Sequence, residues 1–270
     1  MPELQWVIYY LMLGLFVGYF SGLLGIGGGL IMVPVLSFLF EIQHLPAQNI
    51  LHLALGTSMA TILFTSISST YQHHAHKAVN WDAFKFITPG ILLGTVLGAL
   101  IVGYVATFYL TIFFILFVYF AATQMLIGFK PDPSRDYPTR TEVTVAGMVI
   151  GSISSIVSIG GGVLSVPYLV WHKQPLRNAI ATSAALGFPI AFGGTLGYIA
   201  TGYFRGVDLP THSLGYVYLP ALLWLVVGTM VTAPMGARAT HRMPVDRLRQ
   251  IFALVLFVLA TRMLAKLFLS

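Results

Sequence analysis

Cysteine is absent from the 270 residues of the chain, which excludes disulfide bonds and thiol chemistry. Charge is also scarce, because only 8% of the residues are charged, whereas about a quarter of a soluble domain is. Apolar residues are abundant instead: 57% of the chain is hydrophobic and the mean hydropathy is +0.85. Apolar runs of about 20 residues recur, so the sequence predicts an all-α polytopic membrane protein.

Acidic residues are missing from the interior of every predicted span, which argues against the carboxylate proton relay of many pumps. The net charge of +6 does not indicate nucleic acid as a partner, since basic residues of a membrane protein usually lie in cytoplasmic loops. No basic run with interleaved aromatic residues stands apart from a span. The N-terminus lacks a basic region of the kind that opens a signal peptide, so the first apolar block is expected to stay uncleaved.

Enzyme motifs are also lacking. The chain has no His-Glu-x-x-His zinc motif, and the glycines at 25–29 have no βαβ context for a dinucleotide. Ser158 lies beside glycines, but no histidine stands convincingly in a later span to activate it as a protease nucleophile. We therefore predict no catalytic residue, no cofactor and no metal site.

Two glycine-rich stretches, Gly22–Pro34 and Ser155–Pro167, superimpose with an offset of 133 residues. Both contain a glycine triplet, and each glycine in a helix costs about 1 kcal/mol relative to alanine. A second echo relates Leu55–Ala60 to Ile180–Ala185. The chain is thus predicted to be two transmembrane repeats, residues 1–128 and 143–270, joined by a cytoplasmic linker at 129–142 that is rich in proline and charge.

The orientation of the loops follows from the positive-inside rule. If the block Val143–Trp171 crosses the membrane an even number of times, 11 basic loop residues lie inside and one lies outside, whereas a single crossing splits them six and six. Its 29 residues are too few for two spans of about 20 residues each, so it is predicted to be a re-entrant hairpin. Each repeat would then be a glycine-broken hairpin plus three spans, and the two repeats would be inverted.

A new helix is expected after each triplet, and its first amides together with the helix dipole form an anion site. We predict a small oxyanion held at the midplane by backbone and hydroxyl groups, without a buried lysine. Two alternatives stay open, namely that the triplets serve only for packing and that the hydroxyls bond to the preceding turn. The predicted substrate-binding residues are Gly27, Gly28, Gly29, Gly160, Gly161, Gly162, Ser158, Thr57, Ser58, Thr182 and Ser183.

Other glycines recur at spacings of four residues, as in Gly14, Gly18 and Gly22, and these are interpreted as ridges for close helix packing. Among the histidines, His52 is expected about one turn into its span, at the membrane interface or as a pH sensor. The cluster of His73, His74 and His76 has the spacing of a loop and only one distant acidic residue, which disfavours a metal site.

At these residues the sequence resembles the TauE/SafE family of sulfite exporters over nearly the whole chain. The resemblance rests on both glycine hairpins, on Ala-Ile-Ala-Thr-Ser183 and on the run Pro234–Pro244. It implies a transporter of the bacterial inner membrane that exports sulfite, organosulfonates such as sulfoacetate, or related sulfur anions. An inside-negative potential would drive the exit of such an anion. An anion channel and a transporter of another small organic anion remain alternatives, and the oligomeric state stays open.

Overall fold

The computed structural model describes residues 4–128, 132, 138–206, 208–240 and 245–269. In this part of the chain it contains ten α-helices, a short 3₁₀ helix at Ala47–Asn49 and a two-stranded ribbon. The α-helices are α1 Leu4–Leu24, α2 Gly29–Ile42, α3 Ile50–Ala75, α4 Trp81–Tyr104, α5 Thr107–Ile127, α6 Arg140–Ile156, α7 Gly162–Trp171, α8 Leu176–Phe204, α9 Leu219–Thr240 and α10 Val245–Leu269.

Seven of these helices are long and apolar enough to cross a membrane, and they confirm the prediction of an all-α polytopic membrane protein. They are α1, α3, α4, α5, α8, α9 and α10. Large apolar side chains on their outer faces are exposed, for example Phe16 on α1 and Leu223 on α9. Because lipid is the solvent of such a surface, this exposure is expected in a bilayer.

The glycine triplets break the helices where the sequence predicts. α1 ends before the first triplet and α2 begins at its last glycine, while α6 and α7 flank the second triplet in the same way. The second pair is short, with 17 and 10 residues, but α1 has 21 residues and is long enough to span on its own. The predicted re-entrant hairpins and the inverted orientation stay predictions, as do the repeat boundaries; α6 begins at Arg140, inside the predicted linker.

The two halves of the chain interlock and do not pack as separate units. α1 of the first half packs most extensively against α9 of the second, and α6 of the second half packs nearly as extensively against α4 of the first. Small residues permit this approach: a Cβ on Gly14 would lie 2.7 Å from Leu225 O, and one on Gly147 would lie 2.6 Å from Ile87 O. α3 and α8 pack together at the centre and are the most buried spans.

The ribbon lies between α8 and α9, where Ser213–Leu214 pairs antiparallel with Val217–Tyr218. The ribbon occupies residues 213–218, and α9 begins directly after it at Leu219. The ribbon places the buried ring of Tyr216 against His52 of α3, with the ring centroids 5.0 Å apart.

Candidate functional site

The two glycine loops lie in direct contact at the centre of the molecule. The amide of Gly160 donates a hydrogen bond of 2.8 Å to Ile26 O, which joins the second loop to the first. A Cβ on Gly27 would lie 2.6 Å from Gly160 Cα, closer than side chains pack. A Cβ on Gly29 would meet Ser158 O, and one on Gly162 would meet Gly25 O. Glycine is therefore required on both sides of this contact.

Both loops enter the left-handed region at matching positions. The N-cap residues Gly28 and Gly161 have φ values of 83° and 84°, which glycine adopts without steric cost. Gly25, at φ 68°, corresponds to Ser158, which has φ 51° although it carries a side chain. The Ser158 hydroxyl donates a bond of 2.8 Å to Leu55 O, which holds this residue in its unusual conformation.

The helices that follow the loops begin without a side-chain cap. Gly28 O accepts the amides of Ile31 and Met32, and Gly161 O accepts those of Leu164 and Ser165. The amides that precede these first bonds have no acceptor within their own helix. No charged residue occurs from 4 to 40 or from 143 to 171, so amides and hydroxyls set the local field. Two helix starts with donors and positive dipole ends therefore meet at one place.

Buried serine hydroxyls surround the loops. Ser183 Oγ donates 3.2 Å to Gly25 O and accepts 2.7 Å from Ser165 Oγ. Ser58 is fully buried, and its Oγ has no partner among the described residues. It would lie 3.3 Å from a Cβ on Gly29, at the start of α2. Other buried hydroxyls, such as that of Ser154, also lack a partner in the described part of the chain, but Ser58 Oγ lies beside the start of α2, where a polar ligand or water would complete its bonding.

The predicted threonines face away from the loops. Thr57 Oγ1 accepts the amide of Tyr218 at 2.9 Å, immediately before α9, and Thr182 Oγ1 accepts the amide of Asn80 at 2.9 Å, immediately before α4. Each threonine thus anchors the start of a helix in the other half of the chain. The structure brings the glycines, Ser58, Ser158 and Ser183 together, but it gives Thr57 and Thr182 an anchoring contact instead.

Two further residues complete the broken helices, and sequence reasoning missed their role. His73 Nε2 lies 3.2 Å from Gly22 O, and the Tyr198 hydroxyl donates 2.8 Å to Ser155 O. Gly22 O and Ser155 O lie near the ends of α1 and α6, where a helix no longer supplies its regular amide donors, and Ser155 O also accepts the amide of Ser158 at 3.4 Å. The only sequence signal is the spacing, since 73 and 198 are separated by the same interval as the pair 57 and 182.

The other members of the histidine cluster have local partners. Trp81 Nε1 donates 3.2 Å to His74 Nδ1, and His76 Nδ1 lies 2.9 Å from Gln72 O. Within the described ranges, no three His, Cys, Asp or Glu side chains are grouped so that they could hold a metal ion.

A bundle of spans around paired helix breaks defines a multi-pass membrane transporter, and comparisons with known proteins give the same class. The family model of the sulfite exporter TauE/SafE matches residues 10–263. The chain belongs to this family.

Its relatives are named as transporters and not as enzymes. A probable membrane transporter protein of Haemophilus influenzae is 35% identical over 96% of this chain and 98% of its own length. One from Methanocaldococcus jannaschii is 28% identical over 94% of each chain, and one from Bacillus subtilis is 27% identical over 84% of this chain and 87% of its own length. No solved structure matches the chain.

Proposed function

We propose that the protein exports sulfite, an organosulfonate or a related small sulfur oxyanion across the bacterial inner membrane. The observation that carries this proposal is the meeting of two uncapped helix starts, at Gly28 and Gly161, beside the unpartnered hydroxyl of Ser58. Amides and a hydroxyl stabilise an anion without a buried countercharge. The family and the transporter names of its relatives support a sulfur anion as the cargo.

The proposed transport pathway passes between two inverted repeats, each with a re-entrant hairpin that ends near the bilayer midplane. The paired contacts of α1 with α9 and of α6 with α4 support this symmetry. Since the two loops touch, the structure corresponds to a closed state in this scheme. The loops must separate by about 3 Å or more, the diameter of one oxygen atom, before an oxyanion can enter between the helix starts.

The test is efflux of isotope-labelled sulfite from proteoliposomes, with sulfoacetate, sulfate and acetate as competitors and with an imposed potential of either sign. We expect saturable efflux that responds to the potential and is inhibited by sulfoacetate. Ser58→Ala should raise the KM several-fold, because it removes a donor beside the start of α2. Ser68→Ala is the matched control on the same helix; its hydroxyl bonds to Met230 O at 3.1 Å, away from the loops.

Absence of flux for every sulfur anion would overturn the substrate proposal. A unit conductance in planar bilayers would show a channel instead of a carrier. Equal KM values for Ser58→Ala and Ser68→Ala would remove Ser58 from the binding site.

A further inference from the structure

A partly polar cavity of about 510 Å³ opens at the end of the molecule where α3 and α5 begin and α8 ends. We call it the mouth pocket; its described lining is Gln48, Asn49, His52, Val105, Ala106, Thr107, Arg205, Gly206 and Asp208. Thr107 Oγ1 donates 3.1 Å to Gln48 O, and Asn49 Nδ2 donates 3.0 Å to Asp208 O. These bonds join the starts of α3 and α5 to the segment after α8, so the pocket has a defined wall.

His52 lines this pocket, and its ring nitrogens are buried. Only 3% of the residue is exposed, and its Nε2 lies 3.3 Å from Val102 O, near the end of α4. A carbonyl oxygen can only accept, so Nε2 carries the proton and Nδ1 of the neutral ring presents a lone pair. Nδ1 has no partner among the described residues. The ring is held in place by Tyr216, against which it packs.

Positive groups face the same volume. Arg205 is exposed at the end of α8, and within the described ranges its guanidinium makes no ion pair. The N-cap residue of α5, Ala106, makes no side-chain cap bond, so the start of α5 leaves its first amides available. At the start of α3, by contrast, the amide of Ile50 bonds to Ala47 O in the preceding 3₁₀ helix. Asp208 also lines the pocket, and its negative charge repels anions. Because this repulsion grows with the charge of the ligand, the pocket favours a monoanion over a dianion.

We infer that the mouth pocket binds a small monoanion that also carries a hydroxyl or an acidic proton. The anionic end is recognised by Arg205 and by the start of α5, and the hydroxyl donates to Nδ1 of His52. This combination is specific, because the unpaired lone pair of a buried imidazole needs a donor that a simple oxyanion lacks.

The pocket lies close to the glycine loops. His52 is one turn of α3 from Leu55, whose carbonyl accepts the Ser158 hydroxyl, and six residues, or about 9 Å, from Ser58. On a transport path, an anion would therefore occupy the mouth pocket immediately before or immediately after the central site. Only this placement rests on the proposed function, since binding to the pocket is independent of it.

The test compares two pairs of probes that differ by one hydroxyl, isethionate with ethanesulfonate and glycolate with acetate. Protein labelled with ¹⁵N-histidine is titrated in detergent micelles, and His52→Phe assigns the signal. We expect the hydroxylated member of each pair to shift the Nδ1 resonance of His52 at about tenfold lower concentration, as one hydrogen bond implies. Arg205→Gln should weaken the binding of both members of a pair by a similar factor.

His212→Asn is the matched control, because His212 is exposed, lies outside the pocket and has a φ of 65° that asparagine tolerates. It should leave both titrations unchanged. Equal shifts by both members of a pair, or none, would overturn the inference even if sulfite efflux is normal. Selective shifts without any sulfur-anion efflux would support the pocket and refute the proposed transport function instead.

Discussion

Replacement of Gly160 by alanine tests whether the contact between the two loops positions the helix starts. Gly160 does not have a positive φ, so alanine is not strained by its backbone conformation. Its Cβ would lie 2.8 Å from Gly27 Cα and 3.0 Å from Ile26 O. Both are backbone atoms, so no side-chain rotation can relieve the clash. Carbon atoms pack at about 3.5–4.0 Å, so the loops must move apart by about 0.7 Å or more.

That displacement lengthens the 2.8 Å bond from the Gly160 amide to Ile26 O to about 3.5 Å, at the limit of a hydrogen bond. A buried amide left without a partner costs about 1–3 kcal/mol, so we expect the free energy of unfolding to fall by about 2 kcal/mol. Misplacement of binding groups by a large fraction of an ångström should also lower kcat/KM for anion efflux roughly tenfold or more.

The assays are unfolding in a denaturing detergent titration and efflux from proteoliposomes at equal protein content. Gly187→Ala is the matched control, because it faces the same loop from within α8 and its Cβ would lie 3.3 Å from Ser66 Cβ and 3.4 Å from Gly160 O. Gly187→Ala should change the free energy of unfolding and the rate of efflux only slightly. If Gly160→Ala is as stable and as active as Gly187→Ala, the contact between the loops does not organise the site.

Three further predictions concern the contacts between repeats and the orientation of the chain. Thr57→Val and Thr182→Val should each lower the free energy of unfolding by about 1–2 kcal/mol, because each removes the acceptor of a partly buried amide. Serine at the same position should restore stability, and a valine variant of unchanged stability would refute the anchoring role. Tyr198→Phe should lower the free energy of unfolding by about 1–2 kcal/mol, because it removes the hydrogen bond to Ser155 O. The same denaturing titration measures this, and an unchanged midpoint would contradict it. Because the chain has no cysteine, Gln48→Cys and Lys173→Cys can be labelled singly, and the proposed topology requires labelling from outside and from inside, respectively; labelling from the same side would exclude it.

Much of the fold could be predicted from local pattern. The apolar runs identified the long helices, and the repeated triplets identified both helix breaks, since only glycine combines a left-handed φ with close backbone contact. The serines beside the loops followed from the same repeat. The repeat also indicated Thr57 and Thr182, but it did not reveal their contacts, because each hydroxyl oxygen accepts an amide from far away in the chain, as that of Thr57 does from Tyr218.

The capping of helix ends by His73 and Tyr198 depends on the same long-range packing. From the sequence alone, His73 is interpreted as one of three clustered loop histidines, and only the fold shows that it lies beside Gly22 O. The mouth pocket was missed for a related reason: His52 and Arg205 come from different repeats, and neither has a local motif.

The exchange of helices between the halves has a consequence for how the protein is made. The small-residue ridge on α1, including Gly14 and Gly18, packs on α9, which is synthesised about 200 residues later and leaves α1 without its main neighbour until then. A half-chain expressed alone would expose that ridge to lipid, and in the proposed inverted arrangement a second copy lying in the opposite sense would cover it. Under that proposal, the duplicated sequence corresponds to an antiparallel dimer joined into one polypeptide.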